Sequence, residues 1–322
     1  MILNKVSDVC AQSESARERI RDLILETPCV ETKRRGAGGK KLYLKSEDLQ
    51  RTGSFKIRGA AAKLTCLSNE IPVITASSGN HGIACSLAAQ STGQNLTVVL
   101  PEHVAPIKLE KIKSFGTNVI LHPGDSGIAE RHARQLADDE GYVYVSPYND
   151  SLVVAGQGTI GLEILEQVPK VESIFVSMGG GGLISGIGSV IKSRSCKTKV
   201  IGVAAENSAA LAKSLEAGRV VDTVHSETLA DGCAGGMDHD SLTFPLAQSV
   251  VDDVVYVSER QIADAMRELA WSEGRLVEGA AAMALAAYQI KEKELPGLTS
   301  VVVLCGSNFD KSTMQKVLLS NG

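Results

Sequence analysis

Apolar residues along this chain fall into short blocks, divided by turn residues and by longer stretches with apolar positions at helical spacing. Ser13–Leu25 carries such spacing among charged residues and stops before Thr27-Pro28, where proline disfavours a further turn. Lys41–Leu44, Pro72–Ala76, Asn95–Leu100, Thr117–Leu121 and Tyr142–Val145 read as short strands. Between the last four lie helical segments at Ile83–Thr92, Ala105–Phe115 and Ile128–Glu140. After Pro147 the alternation resumes. Gly158–Gln167, Leu183–Lys192 and Ala280–Lys291 predict helices, and Ser258 caps a long helix to about Glu273. Ser173–Ser177, Val200–Ala204, Val254–Val257 and Ser300–Leu304 predict strands. Strand, helix, strand repeated in this way calls for parallel sheets with crossover helices, an α/β fold.

At 322 residues the chain is too long for one simple core, so two domains are expected. Periodicity does not fix where the sheet divides. No linker is visible, so a second domain would be inserted in the first rather than appended.

A formal net charge of −4, with neither a basic block nor a basic stripe, argues against nucleic acid and anionic membrane as partners. The seven cysteines, Cys10, Cys29, Cys66, Cys85, Cys196, Cys233 and Cys305, are odd in number and form no CxxC pair. They read as reduced thiols rather than a disulfide framework or zinc site. Met1–Arg19 lacks the apolar run of a signal peptide, and no stretch is apolar enough to span a bilayer. A soluble cytoplasmic protein is expected.

Three segments carry candidate chemistry. In Ser54-Phe55-Lys56-Ile57-Arg58-Gly59, apolar neighbours would lower the pKa of Lys56 and let its amine attack an aldehyde, although a solitary lysine is more often a solvated surface group. Ser77-Ser78-Gly79-Asn80-His81-Gly82 forms a turn between strand and helix, where hydroxyl and N–H groups suit a carboxylate or simply cap the helix. Gly179-Gly180-Gly181-Gly182 follows a strand and precedes a helix. It would expose backbone N–H groups to a phosphate, or allow close packing. It is neither a P-loop nor a dinucleotide fingerprint.

In this order the three motifs resemble those of fold-type II enzymes dependent on pyridoxal 5′-phosphate (PLP), and within them the serine/threonine dehydratase and serine racemase family. The likeness runs from about Ser13 to Asp310. It includes Ser146-Pro147-Tyr148-Asn149, Ala155-Gly156-Gln157-Gly158-Thr159, Thr228-Leu229-Ala230-Asp231-Gly232 and Glu278-Gly279-Ala280. The resemblance implies a two-domain, tryptophan synthase β-like fold with twisted parallel sheets flanked by helices. Residues 1–46 and 147–322 would form the large PLP-binding domain. Residues 47–146 would form an inserted small domain carrying Lys56 and the Ser77–Gly82 turn.

It further implies a β-elimination that turns a β-hydroxy amino acid such as L-serine, L-threonine or 3-hydroxyaspartate into a 2-oxo acid and ammonia. Lys56 would be the Schiff-base lysine and the base at Cα. Phe55 would pack on the PLP ring, Asn80 would bond its 3′-hydroxyl, and Gly179, Gly180, Gly181 and Gly182 would bind its phosphate. Ser77, Ser78, Gly79, Asn80 and His81 would hold the substrate. Cys305 stands where the ring nitrogen finds its partner, or serves only as a small buried thiol. Ser78 matches the second acid/base of racemases, which makes racemisation the alternative activity, or it only caps the helix. The family's Mg²⁺ or Ca²⁺ site would use Glu206 and the Ala210 carbonyl. Its second carboxylate is replaced by Ala212, which leaves a hard cation short of oxygen ligands. A homodimer is implied by resemblance alone. The chain ends at Gly322 without a regulatory domain in view, so feedback by isoleucine is not expected.

Overall fold

A computed structural model describes residues 5–33, 37–295 and 297–319. Among the described residues, ten strands form two sheets. The larger has the order β1-β2-β10-β7-β8-β9 and the smaller β5-β4-β3-β6. In chain order they are β1 (Cys29–Glu31), β2 (Lys41–Lys45), β3 (Val73–Thr75), β4 (Leu96–Pro101), β5 (Asn118–His122), β6 (Val143–Tyr144), β7 (Ser173–Ser177), β8 (Lys199–Ala205), β9 (Asp253–Val257) and β10 (Thr299–Val303). Only the short β1 runs antiparallel to its neighbour; every other described pairing is parallel. The small sheet draws all its strands from residues 73–144, between β2 and β7 of the large one.

Parallel strands need both faces covered, and the central strands read as buried apolar runs for that reason. Val176, Val203, Val301 and Val302 sit in the large sheet's core, and Val73 and Val98 in the small sheet's. The strand-to-helix turns gather at the C-terminal edges, where open α/β sheets take ligands. Ser77–Gly79 follows β3, Gly179–Gly181 follows β7, and Cys305 follows β10.

Several boundaries differ from the sequence expectation. The first helix runs Val6–Ile20 rather than Ser13–Leu25. The helix expected to start at Gly158 begins at Ser151, with Asp150 accepting from the N–H groups of Leu152 and Val153. Its Gly156 and Gly158 are contact points rather than breaks. A Cβ on Gly156 would stand 2.5 Å from the Arg58 carbonyl oxygen, and one on Gly158 would overlap Ser13. Gly156 lets the helix Lys56–Leu64, which the sequence pattern did not reveal, lie against Ser151–Gln167, while Gly158 admits Val6–Ile20 and Gly182–Arg194. Ser258 does cap a helix through a capping box with Gln261, but that helix ends at Glu268 in a π turn, Leu269–Glu273.

Candidate active site

Lys56 is the first residue of its helix and is half-buried. Its Nζ donates to the Pro147 carbonyl oxygen at 2.7 Å and lies 5.2 Å from the centre of the Phe55 ring. Burial pushes its pKa down. Phe55 is buried, and its N–H donates to the Cys305 carbonyl at 3.0 Å, while Ser54 bridges to Gly306. These bonds hold the lysine beside the end of β10.

A buried charge network anchors the same helix from behind. Arg58 donates from Nε and Nη2 to Glu47 at 2.8 Å, and from Nη2 to Glu163 at 2.8 Å. Lys45 also reaches Glu163, and all four side chains are almost wholly enclosed. Their attraction acts in a low dielectric, where losing one partner strands the others.

On the opposite turn, the Ser77 hydroxyl accepts from the Gly79 N–H at 3.2 Å, and Ser78 is half-buried. Asn80 opens the helix Asn80–Thr92. The His81 ring points inward. Its Nε2 meets the Val145 carbonyl at 3.0 Å, and burial drives its pKa down to about 3, so it is neutral and donates there. The sequence reading placed His81 among the carboxylate ligands, and this ring is committed elsewhere; only its backbone N–H remains for that role.

Gly179, Gly180 and Gly181 lie between β7 and the helix Gly182–Arg194, which the fourth glycine opens. A Cβ at Gly180 would meet the Tyr148 ring at 2.5 Å, and one at Gly179 would stand 3.0 Å from the Cys233 backbone. Gly181 has φ +89°, which disfavours any side chain. The N–H groups of Gly179, Gly180 and Gly181 find no acceptor among the described residues. One side of the run packs closely, and the other leaves donors at a helix start.

Glu278 and Asn308 belong to the same site. Sequence reasoning gave neither a role, because their contacts with Asn80 span 198 and 228 positions. Asn80 Nδ2 lies 2.9 and 3.0 Å from the two Glu278 carboxyl oxygens, and Asn308 Nδ2 donates to Asn80 Oδ1 at 2.7 Å. Burial pushes Glu278 up to about 7, against the Asn80 bond, which pulls it down. Cys305 is buried, and burial raises its thiol well above the usual range. All seven cysteines are free.

A family model described as pyridoxal-phosphate dependent enzyme matches residues 20–306. The chain belongs to the pyridoxal-phosphate dependent enzymes. It is 42% identical to an L-threonine ammonia-lyase of Thermotoga maritima, over 87% of this chain and 70% of that protein. It is 36% identical to a catabolic L-threonine dehydratase of Staphylococcus aureus, over 95% and 90% of the two chains. Maize serine racemase superposes with a TM-score of 0.89 at 31% identity, over 95% of each chain. A threonine deaminase isoform of Solanum lycopersicum gives 0.92 at 31%, over 97% of this chain and 87% of that one. Within the family the chain is a fold-type II enzyme of the serine/threonine dehydratase group, an ammonia-lyase that uses PLP.

The PLP-dependent chain has residues that fit its cofactor. It offers an amine made less basic by burial, open N–H donors at a helix start, and a neutral thiol at a strand end. The family's divalent cation does not fit. Glu206 is exposed at the end of β8, the Ala210 carbonyl accepts from the Ser214 hydroxyl at 2.8 Å, and Ala212 is a buried methyl. Among the described residues no group of three or more His, Cys, Asp or Glu is placed to hold a metal. Among the described residues, no helix is long and apolar enough to cross a membrane either.

Proposed function

We propose that this enzyme dehydrates and deaminates L-threonine to a 2-oxo acid and ammonia, with L-serine as a smaller substrate of the same site. The observation that carries the reading is the half-buried Lys56 amine at the end of β10, its basicity lowered by burial. The identity to an L-threonine ammonia-lyase and an L-threonine dehydratase supports the choice of amino acid. Arg134, on the helix Ser126–Glu140, is not free to meet a second substrate carboxylate. It bonds Glu130 at 2.8 Å and Asp238 at 3.3 Å and lies over the Tyr144 ring. That argues against 3-hydroxyaspartate.

When bound, PLP supplies an electron sink for the bond to the Cα proton. The chain does the rest. Lys56 would hold the cofactor and, once displaced from it by the substrate amine, would take the Cα proton. Gly179–Gly182 would present N–H groups to its phosphate, and Phe55 would pack on its ring. The N–H groups of the Ser77–His81 turn, with the Ser77 hydroxyl, hold the substrate carboxylate. Cys305, a neutral thiol, would give the ring nitrogen an uncharged partner. That would suit an elimination in which the β-hydroxyl takes up a proton, leaves as water and carries the charge away. The enamine released hydrolyses to the oxo acid and ammonia.

Racemisation is a second activity of the same site. A half-buried Ser78 could return a proton to Cα opposite Lys56. Incubating the purified enzyme with L-threonine, L-serine and a wide panel of other β-hydroxy amino acids tests both. Oxo acid from L-threonine is expected, and its absence across the panel defeats the dehydratase reading. Ser78→Ala should abolish any D-serine formed while sparing elimination.

A further inference from the structure

We propose that Asn308, on the loop after β10, sets the polarity of Asn80 so that Asn80 can only donate to the cofactor. The proposal rests on the PLP reading above, in which Asn80 meets the ring oxygen. An asparagine amide presents an acceptor and a donor of nearly equal shape, so its orientation must come from its neighbours.

Here the orientation can be followed inward from two groups that have no choice. The Thr52 carbonyl oxygen only accepts, and it lies 2.7 Å from Asn308 Nδ2. The Lys111 ammonium only donates, and it lies 3.2 Å from Asn308 Oδ1. Both fix the Asn308 amide in the same sense. Its Nδ2 therefore faces Asn80 at 2.7 Å and makes that atom the Asn80 oxygen. The Asn80 nitrogen is left against Glu278, whose carboxyl accepts there and takes the Asn308 backbone N–H at 3.1 Å. Gly53 makes room for this arrangement. Its φ is +74°, and a Cβ would stand 2.9 Å from Asn308 Oδ1.

The consequence is electronic. A donor on the cofactor's ring oxygen stabilises negative charge there. It competes with that oxygen's own bond to the protonated lysine nitrogen, and so lowers the pH at which the visible band of the loaded enzyme titrates. Asn308 touches neither substrate nor cofactor in this account; it is a positioning residue.

The test is a double-mutant cycle read by absorbance. Asn308→Asp, nearly isosteric, and Asn308→Ala, which adds no charge, are each made in the natural chain and in Asn80→Ala. Both are loaded with PLP and their visible bands titrated with pH. With Asn80 present, either variant should raise the proton affinity of the band by roughly fivefold, the worth of one ordinary hydrogen bond. In Asn80→Ala the same changes should have no further effect. Equal shifts in both backgrounds, or none with Asn80 present, would overturn the proposal. A natural enzyme with no visible band would instead sink the PLP reading beneath it.

Discussion

The Lys56 Nζ and the Pro147 carbonyl oxygen meet at 2.7 Å, although the residues lie 91 positions apart. The contact ties the start of the lysine's helix to the Pro147-Tyr148 segment that covers the glycine loop. Since burial weakens the amine's hold on its proton, this one carbonyl keeps it oriented without trapping it as a buried ion pair. Holding Lys56 in this place is the work of the residues behind it.

Arg58 is the first of these. Arg58→Met leaves Glu47 and Glu163 enclosed without their partner, with Lys45 alone to offset two carboxylates. The expected loss is about 3–5 kcal/mol of folding free energy, measured by urea unfolding. A loss below about 1 kcal/mol would mean the network is solvated.

The phosphate loop offers a sharper contrast. Gly181→Ala forces a side chain into the left-handed region, at a cost of about 1–2 kcal/mol. Gly180→Ala drives a methyl into the Tyr148 ring. Both should weaken PLP affinity at least tenfold in fluorescence titration, while Gly218→Ala, also at positive φ but with open space around it, should leave that affinity unchanged.

Acid stability should report on His81. Its folded pKa, about 3, lies below the ordinary 6.5, so the folded state prefers the neutral ring. The stability this contributes is complete above pH 6.5 and is lost as the pH falls towards 3. His81→Gln can still donate to the Val145 carbonyl and cannot charge. Urea midpoints of the two proteins should therefore diverge below pH 6.5, with the natural chain falling faster.

Divalent cations give a fourth expectation. Because the donors at Glu206, Ala210 and Ala212 do not make a hard-cation site, neither EDTA nor added Mg²⁺ or Ca²⁺ should move the unfolding temperature. A rise of several degrees with either ion would show that oxygen ligands come from elsewhere.

How far these features were legible in the chain depended on whether their signals were local. The alternation of β-branched runs with helical segments identified the central strands to within a residue or two, because buried parallel strands leave unbroken apolar blocks. Lys56, the Ser77–Gly82 turn and the glycine run could be singled out because each is a contiguous run, but their roles rest on their order along the chain and the family it resembles. The helix Lys56–Leu64 was not legible. It is short and mostly buried, with small residues and the enclosed Arg58 inside and only Lys56 and Lys63 on its open side, so its pattern is too brief to mark a period. The helix Ser151–Gln167 was expected to begin only at Gly158, because the close contact of Gly156 with the unrecognised helix Lys56–Leu64 leaves no local signal. The partners of Arg58 lie up to 105 residues away, and Asn308 gains its meaning only from Thr52, Lys111 and Asn80.

The central claim is that Lys56 carries the cofactor. Treating the PLP-loaded enzyme with borohydride and mapping its peptides by mass tests this most directly. The account predicts that the mass of the reduced cofactor appears on the peptide containing Lys56. The same mass on another lysine, or on no peptide at all, would contradict it.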